Sequence, residues 1–150
     1  MAYEFQVTVD CVDPHTAADW WAETLGWQLE PQDEAFIRRM ISAGHAAEGD
    51  TKVHNGALVW RVGAAIRHPE GLQRAPRVLF HLVPEGKAVK NRLHLDVRVG
   101  SDDVEDVVAT LTARGARVLH RGRQGPQAWV TLADPEDNEF CVSPSASAPE

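Results

Sequence analysis

The sequence predicts an α+β fold built from two copies of a βαβββ module, and three observations lead there. Residues 5–11 and 90–99 each alternate apolar and polar side chains with period two, as a half-buried strand requires. Each stretch is followed by a capped amphipathic helix that a glycine closes, and each helix by further short strands. The second half thus repeats the order of the first. A repeat of two units must bury its sheets against each other or against a second chain.

In the first module, Phe5, Val7 and Val9 share one strand face and Gln6, Thr8 and Asp10 the other. Asp13 is placed to cap a helix, Pro14 suits its first position, and Gly26 ends it. Ala17, Trp20, Trp21 and Leu25 fall on one side at helical spacing, which makes the adjacent tryptophans core residues. Residues 27–29 read as a short second strand. Residues 33–47 read as an inserted helix with the apolar stripe Phe36, Ile37, Met40 and Ile41; Gly44 can end it early, and residues 48–56 are polar and loop-like. Residues 57–62 and 78–83 supply the remaining strands, across a connection over 68–76 that contains proline and glycine.

The second module opens with Leu93, Leu95, Val97 and Val99 on one face and His94, Asp96 and Arg98 on the other. Ser101 is placed to cap its helix, with Asp102 and Asp103 in the first turn. Val104, Val107, Val108 and Leu111 form the buried stripe, and Gly115 stands where Gly26 stood. Residues 116–119, 128–132 and 139–143 complete the strands, with Asp134-Pro135-Glu136-Asp137-Asn138 as a tight turn before the last. The first module therefore spans 1–86 with its helical insertion at 33–47, the second spans 87–143, and 144–150 has the composition of a disordered tail.

A chain of 150 residues with 43% hydrophobic composition can bury one core of moderate size. Fifteen basic against 22 acidic residues give a net charge of -7, which argues against nucleic acid or an anionic membrane as a partner. Small molecules or other proteins are the expected partners. No apolar run reaches the length of a membrane span, and residues 1–10 lack the basic start and hydrophobic core of a signal peptide, so a cytoplasmic location is expected. Cys11 and Cys141 lie in no Cys-x-x-Cys or Cys/His cluster, and are expected to be free, partly buried thiols.

Several motifs carry a resemblance. Asp10-Cys11-Val12-Asp13-Pro14, Leu25-Gly26, Val83-Pro84-Glu85 with Lys87, Lys90-Asn91-Arg92, His94-Leu95-Asp96 and the run from Asp134 to Cys141 resemble the bacterial glyoxalase-like domains. These belong to the vicinal oxygen chelate superfamily, with glyoxalase I, extradiol dioxygenases, and fosfomycin and bleomycin resistance proteins. The resemblance implies that each sheet curls into a cup, that two cups enclose an inter-module cavity, and that a homodimer is the expected assembly. It also implies four metal-ligand positions on the first and fourth strands, which map here onto Gln6, His81, His94 and Cys141. Metal-dependent relatives usually have glutamate at the fourth, and Glu139 could replace Cys141 only if the strand shifts register by two residues or its side chain reaches along the cup.

Strand parity turns the same residues inward: Gln6, Thr8 and Asp10, then His94, Asp96 and Arg98, then Glu139 and Cys141. A lone thiolate in the ligand set suits zinc or copper better than an octahedral divalent ion. No cofactor is therefore expected, a divalent metal being the less favoured alternative. Without metal, Asp10, Asp96 and Glu139 beside Arg98, His81 and His94 form an ion-pair network, serving either acid–base catalysis or the register of two sheets. Of these, His94, Glu139, Asp96 and His81 are the catalytic candidates; Gln6, Thr8, Asp10, Arg98, Trp60, Trp129 and Cys141 are the ligand-binding candidates. Trp60, Trp129 and Met40 read as core or cavity wall. Lys87, Lys90 and Arg92 form either a solvated basic turn or a grip on an anionic ligand. Two functions follow: a metal-independent lyase or isomerase acting on a small oxygenated metabolite, or a protein that sequesters an aromatic or antibiotic-like compound.

Overall fold

The computed structural model describes residues 1–145; residues 146–150, where most of the expected tail falls, lie outside the described residues. The chain divides into two compact units, Met1–Gly86 and Lys87–Glu150. Each unit holds a four-stranded sheet of the same topology. In the first the order is β1 (Val7–Cys11), β6 (Val78–Leu82), β5 (Gly63–Arg67) and β2 (Gln28–Leu29). In the second it is β7 (Leu95–Arg98), β10 (Glu139–Ser143), β9 (Gln127–Ala133) and β8 (Arg117–Gln124). The first and last strands of each unit run parallel and adjacent, and the other sheet pairs are antiparallel.

Helix α1 (Pro14–Leu25) follows the sequence signals closely. Asp13 accepts from the Thr16 backbone N–H at 3.3 Å and from its hydroxyl at 2.8 Å. These bonds, with Lys52 and His54 nearby, outweigh the upward push of partial burial and hold the Asp13 carboxyl below its ordinary range. Gly26 adopts φ 67° at the C-cap, a left-handed conformation that costs glycine nothing. Trp20 and Trp21 are buried with their rings edge to face, 5.1 Å apart, so both are core.

The insertion is larger than the sequence reading expected. Helix α2 (Glu34–Ser42) is capped by Asp33 and anchored by the fully buried Ile37. A single 3-10 turn at Glu48–Asp50 and a hairpin of β3 (Thr51–His54) and β4 (Ala57–Trp60) follow it. Residues 57–62 are thus not the third strand of the sheet; Gly63–Arg67 is. Asn55 and Gly56 have φ 50° and 80°, the two left-handed residues of a two-residue hairpin turn. His54 bonds Asp19 of α1 at 2.6 Å and His15 bonds the Trp60 carbonyl at 2.7 Å, which latches the hairpin to that helix.

In the second unit α3 (Val104–Ala113) is capped by Asp103, whose carboxylate accepts from the Asp106 N–H at 3.0 Å, and not by Ser101. Val108 and Leu111 are its buried residues, and the helix packs on β8 and β10. Phe140, Val142, Val130 and Leu132 are buried on the strands beneath. Burying each such side chain stabilises the fold by about 1.5–3 kcal/mol. Leu93 lies before β7 and is exposed, so the apolar row of that strand is shorter than expected. Asp134 accepts from the N–H groups of Glu136 and Asn138, both at 2.9 Å, and closes the predicted turn into β10.

Candidate functional site

Helix α3 takes one face of the second sheet, and period two sends the alternate side chains to the other. Strand register then aligns that other face into rows. Asp96 stands opposite Cys141, Cys141 opposite Thr131, and Thr131 opposite His120, one residue from each of the four strands. Trp129 lies two residues along β9 from Thr131 and opposite Gly122 of β8. Glu139 begins β10 two residues before Cys141, and His94 precedes Asp96 by two.

These rows line a cavity of about 430 Å³, within the range of about 300–1,000 Å³ that small-molecule sites occupy. Its wall includes Lys90, His94, Asp96, His120, Trp129 and Cys141, with Gln127, Ala128, Thr131, Glu139 and Ser143 between them. Five sequence candidates therefore meet here: His94, Asp96, Glu139, Cys141 and Trp129. Arg98 is exposed opposite Ser143 and is not among the lining residues.

The hydrogen bonds give the cavity a direction. His94 Nδ1 lies 3.0 Å from Asp96 Oδ1, and an ionised carboxylate can only accept, so the neutral imidazole carries its proton on Nδ1. That leaves Nε2 with a free lone pair. Cys141 Sγ lies 3.3 Å from the Thr131 hydroxyl and within 4.8 Å of an Asp96 carboxylate oxygen. Burial pushes the Cys141 thiol up, and the Asp96 charge and hydrogen bond push the same way against the opposing pull of Thr131 and Lys90. Cys141 is held as a thiol.

Glu139 is tied to the loop that precedes β7. Its Oε1 accepts from Lys87 at 3.0 Å, and its Oε2 accepts from Lys90 at 2.9 Å and from the Asn91 N–H at 3.2 Å. The Lys90 and Lys87 hydrogen bonds lower its pKa to about 2, far from the near-neutral value that proton transfer requires. Glu139 is an anchor that holds the segment from Lys87 to Asn91 against β10. The basic turn is accordingly neither merely solvated nor wholly free to grip a ligand.

His94, Asp96 and Cys141 also present one donor atom each within 4.8 Å of one another, a group that could hold a metal ion. Its chemistry departs from an imidazole and carboxylate set for a hard divalent ion. A cysteine ligates as the thiolate, its proton displaced by the ion, and a thiolate suits zinc or copper better than a hard divalent ion. The Glu139 carboxylate is taken up by two ammonium groups. The residues present are a poor match for such an ion, and no step below runs through one.

The remaining candidates belong to the first unit. Asp10 and His81 are paired in register with their side chains 3.7 Å apart, both substantially exposed. Gln6 accepts from Arg77 at 3.1 Å and donates weakly to Thr8 at 3.4 Å. Trp60 is on the β4 hairpin strand, its backbone N–H held by Gln32 at 2.8 Å. Sequence reasoning named neither Thr131, Gln127 nor His120. Period two from Trp129 would have found the first two. His120 stands beyond a register shift between Val118 and His120, which parity cannot cross.

No curated protein matches the sequence. Among solved structures, a mutant of the genomically encoded fosfomycin resistance protein FosX from Listeria monocytogenes, complexed with Mn(II) and a dihydroxypropylphosphonic acid, aligns with a TM-score of 0.64 at 7% identity, over 97% of this chain and 94% of that one. A glyoxalase/bleomycin resistance protein/dioxygenase family enzyme from Burkholderia phytofirmans aligns with a TM-score of 0.58 at 14% identity, over 94% and 97%. A member of the same superfamily from Sphaerobacter thermophilus gives 0.52 at 15%, over 95% and 98%. At such identities the likeness is one of fold. The family model described as "Glyoxalase-like domain" matches residues 6–143, nearly the whole chain. With that match over nearly the whole chain and the repeated βαβββ topology, this chain belongs to the glyoxalase-like domain family.

Proposed function

We propose that the protein binds a small oxygenated organic molecule in the cavity of its second sheet and acts on it by metal-independent proton transfer, as a lyase or isomerase. The observation that carries this reading is the His94–Asp96 pair: a cavity-lining imidazole whose proton is drawn to Nδ1, leaving Nε2 as a base. In the simplest reaction Nε2 takes a proton from a carbon beside a carbonyl. The electron pair of that C–H bond moves into the carbonyl to give an enolate; where the deprotonated carbon bears a hydroxyl, the hydroxyl proton passes to the former carbonyl oxygen while the imidazolium returns its proton to the former carbonyl carbon, which leaves the isomeric hydroxy-carbonyl. Lys90, at the rim with its ammonium more than half exposed, offers positive charge to the developing oxygen. The proteins of like fold include a fosfomycin resistance protein and a glyoxalase/bleomycin resistance/dioxygenase family enzyme, which is compatible with either turnover or binding.

A second reading, sequestration of an aromatic compound, is favoured by one observation: an indole, that of Trp129, lines the cavity. The two are separated by screening small hydroxyketones, hydroxyaldehydes and aromatic alcohols for thermal stabilisation of wild type and His94→Gln, followed by NMR for product. A compound that stabilises both proteins and is converted only by wild type supports the enzyme. A compound that stabilises both and is converted by neither supports sequestration.

A further inference from the structure

Gly122 is in the middle of an eight-residue edge strand, where glycine is a poor choice unless something needs its missing side chain. Its backbone does not: φ at Gly122 is outside the left-handed region. The need comes from across the strand pair. A Cβ built on Gly122 would fall inside van der Waals contact of Nε1, Cε2 and Cζ2 of the Trp129 indole. The ring thus occupies the space of the absent side chain, reclining over β8 instead of standing in the cavity that Trp129 lines.

We propose that Gly122 is a specificity-determining residue of this cavity: by seating Trp129 against the sheet it opens the cavity to a planar, conjugated ring, with the ligand's polar group directed to the row of Asp96, Cys141, Thr131 and His120. This rests on the cavity being the ligand site, as proposed above, and adds the class of ligand it takes. A ring stacked on or against an indole gains from dispersion and from the opposed quadrupoles, which a saturated ring of the same outline cannot match. The polar groups are concentrated on the strands on the β7 side of Trp129 and on His120, so one end of the ligand meets side chains that hydrogen-bond and the other meets the indole and Ala128. With any Cβ at position 122 the indole must leave its seat, and the free space on that face is the cavity itself.

The test uses 2-naphthol and its saturated counterpart decahydro-2-naphthol as probes. Binding to the full chain is read by calorimetry, with NMR of the Trp129 indole N–H assigned by its loss in Trp129→Leu. Wild type is expected to bind 2-naphthol with a shift of that resonance and to bind the saturated alcohol about three- to tenfold more weakly. Gly122→Ala is expected to lose most of that preference. Equal binding of the two alcohols by wild type, or an unchanged preference in a folded Gly122→Ala, overturns the role of Gly122 while leaving the cavity as the ligand site. If both alcohols bind without shifting Trp129, His94 or Thr131 resonances, the cavity reading fails together with this one; if neither binds, the ring class proposed here is overturned and the cavity reading stands or falls on the hydroxyketone screen. Should Gly122→Ala not fold, Trp129→Leu decides, since retention of the preference for 2-naphthol in that variant also overturns the proposal.

Discussion

His94 Nδ1 lies 3.0 Å from Asp96 Oδ1, and Cys141 Sγ lies within 4.8 Å of a polar atom of each. One acidic side chain thereby sets the tautomer of a histidine and adds to the burial that pushes up the pKa of a cysteine. Replacing Asp96 with Asn presents an amide that can bond His94 in either sense, so the Nδ1–H tautomer should lose its dominance. Nitrogen-15 chemical shifts of the His94 ring, recorded with and without the substitution, read this directly. Once a converted substrate is in hand, turnover in Asp96→Asn should fall by about 10²-fold or more, with a smaller change in KM.

Glu139 makes acid stability a second measurement. Its folded-state pKa is depressed to about 2 from an ordinary 4.5, so the unfolded chain takes up the proton first as pH falls. The contribution is complete above about pH 4.5 and disappears as pH drops toward 2. Glu139→Gln should therefore be less stable at neutral pH, by about 1–3 kcal/mol, because it leaves the mostly buried Lys87 ammonium without its anion. Lys90, more exposed, contributes little to that figure. Melting followed from pH 7 to pH 2 should show wild type and variant converging in acid.

The sequence shows the inner face of the second sheet better than it shows the connections. His94 with Asp96, and Glu139 with Cys141, were legible because alternation along a strand is a local property and survives folding. The lysine partners of Glu139 were not, since they stand 49 and 52 residues away and only the fold brings them together. The β3–β4 hairpin had a clear local signal in Asn55-Gly56, obscured by the polar residues on either side. Gly63–Arg67, with glycine and two alanines, has weak strand propensity and is a strand because it pairs with both β6 and β2. The charged end of β8, from Arg121 to Gln124, is extended for the same reason, paired with β9.

Packing of the second unit is tested at Leu132, fully buried in the middle of β9. Leu132→Ala should cost about 2–5 kcal/mol by denaturant titration, with an unchanged m-value if only the folded state is affected. In the first unit, Gly56→Ala places a side chain at φ 80° and should cost about 1–2 kcal/mol while leaving the second unit's cavity unaltered.

The donor chemistry at His94, Asp96 and Cys141 predicts little response to hard divalent ions. Protein purified without added metal should hold it well below one equivalent by elemental analysis, and Mn(II) should not raise the melting temperature of wild type over that of His94→Ala. A stoichiometric metal lost in the variant would replace the proton-transfer reading with a metal-dependent one.

Deuterium incorporation measures the base itself. Hydroxyacetone and 2-hydroxyacetophenone in D2O report, by proton NMR, how fast the hydrogens beside their carbonyl exchange. The account predicts that wild type accelerates exchange for at least the ring-bearing ketone and that His94→Gln, still folded, slows it by about 10²-fold or more. Exchange no faster than in buffer, or equally fast with His94→Gln, would contradict it.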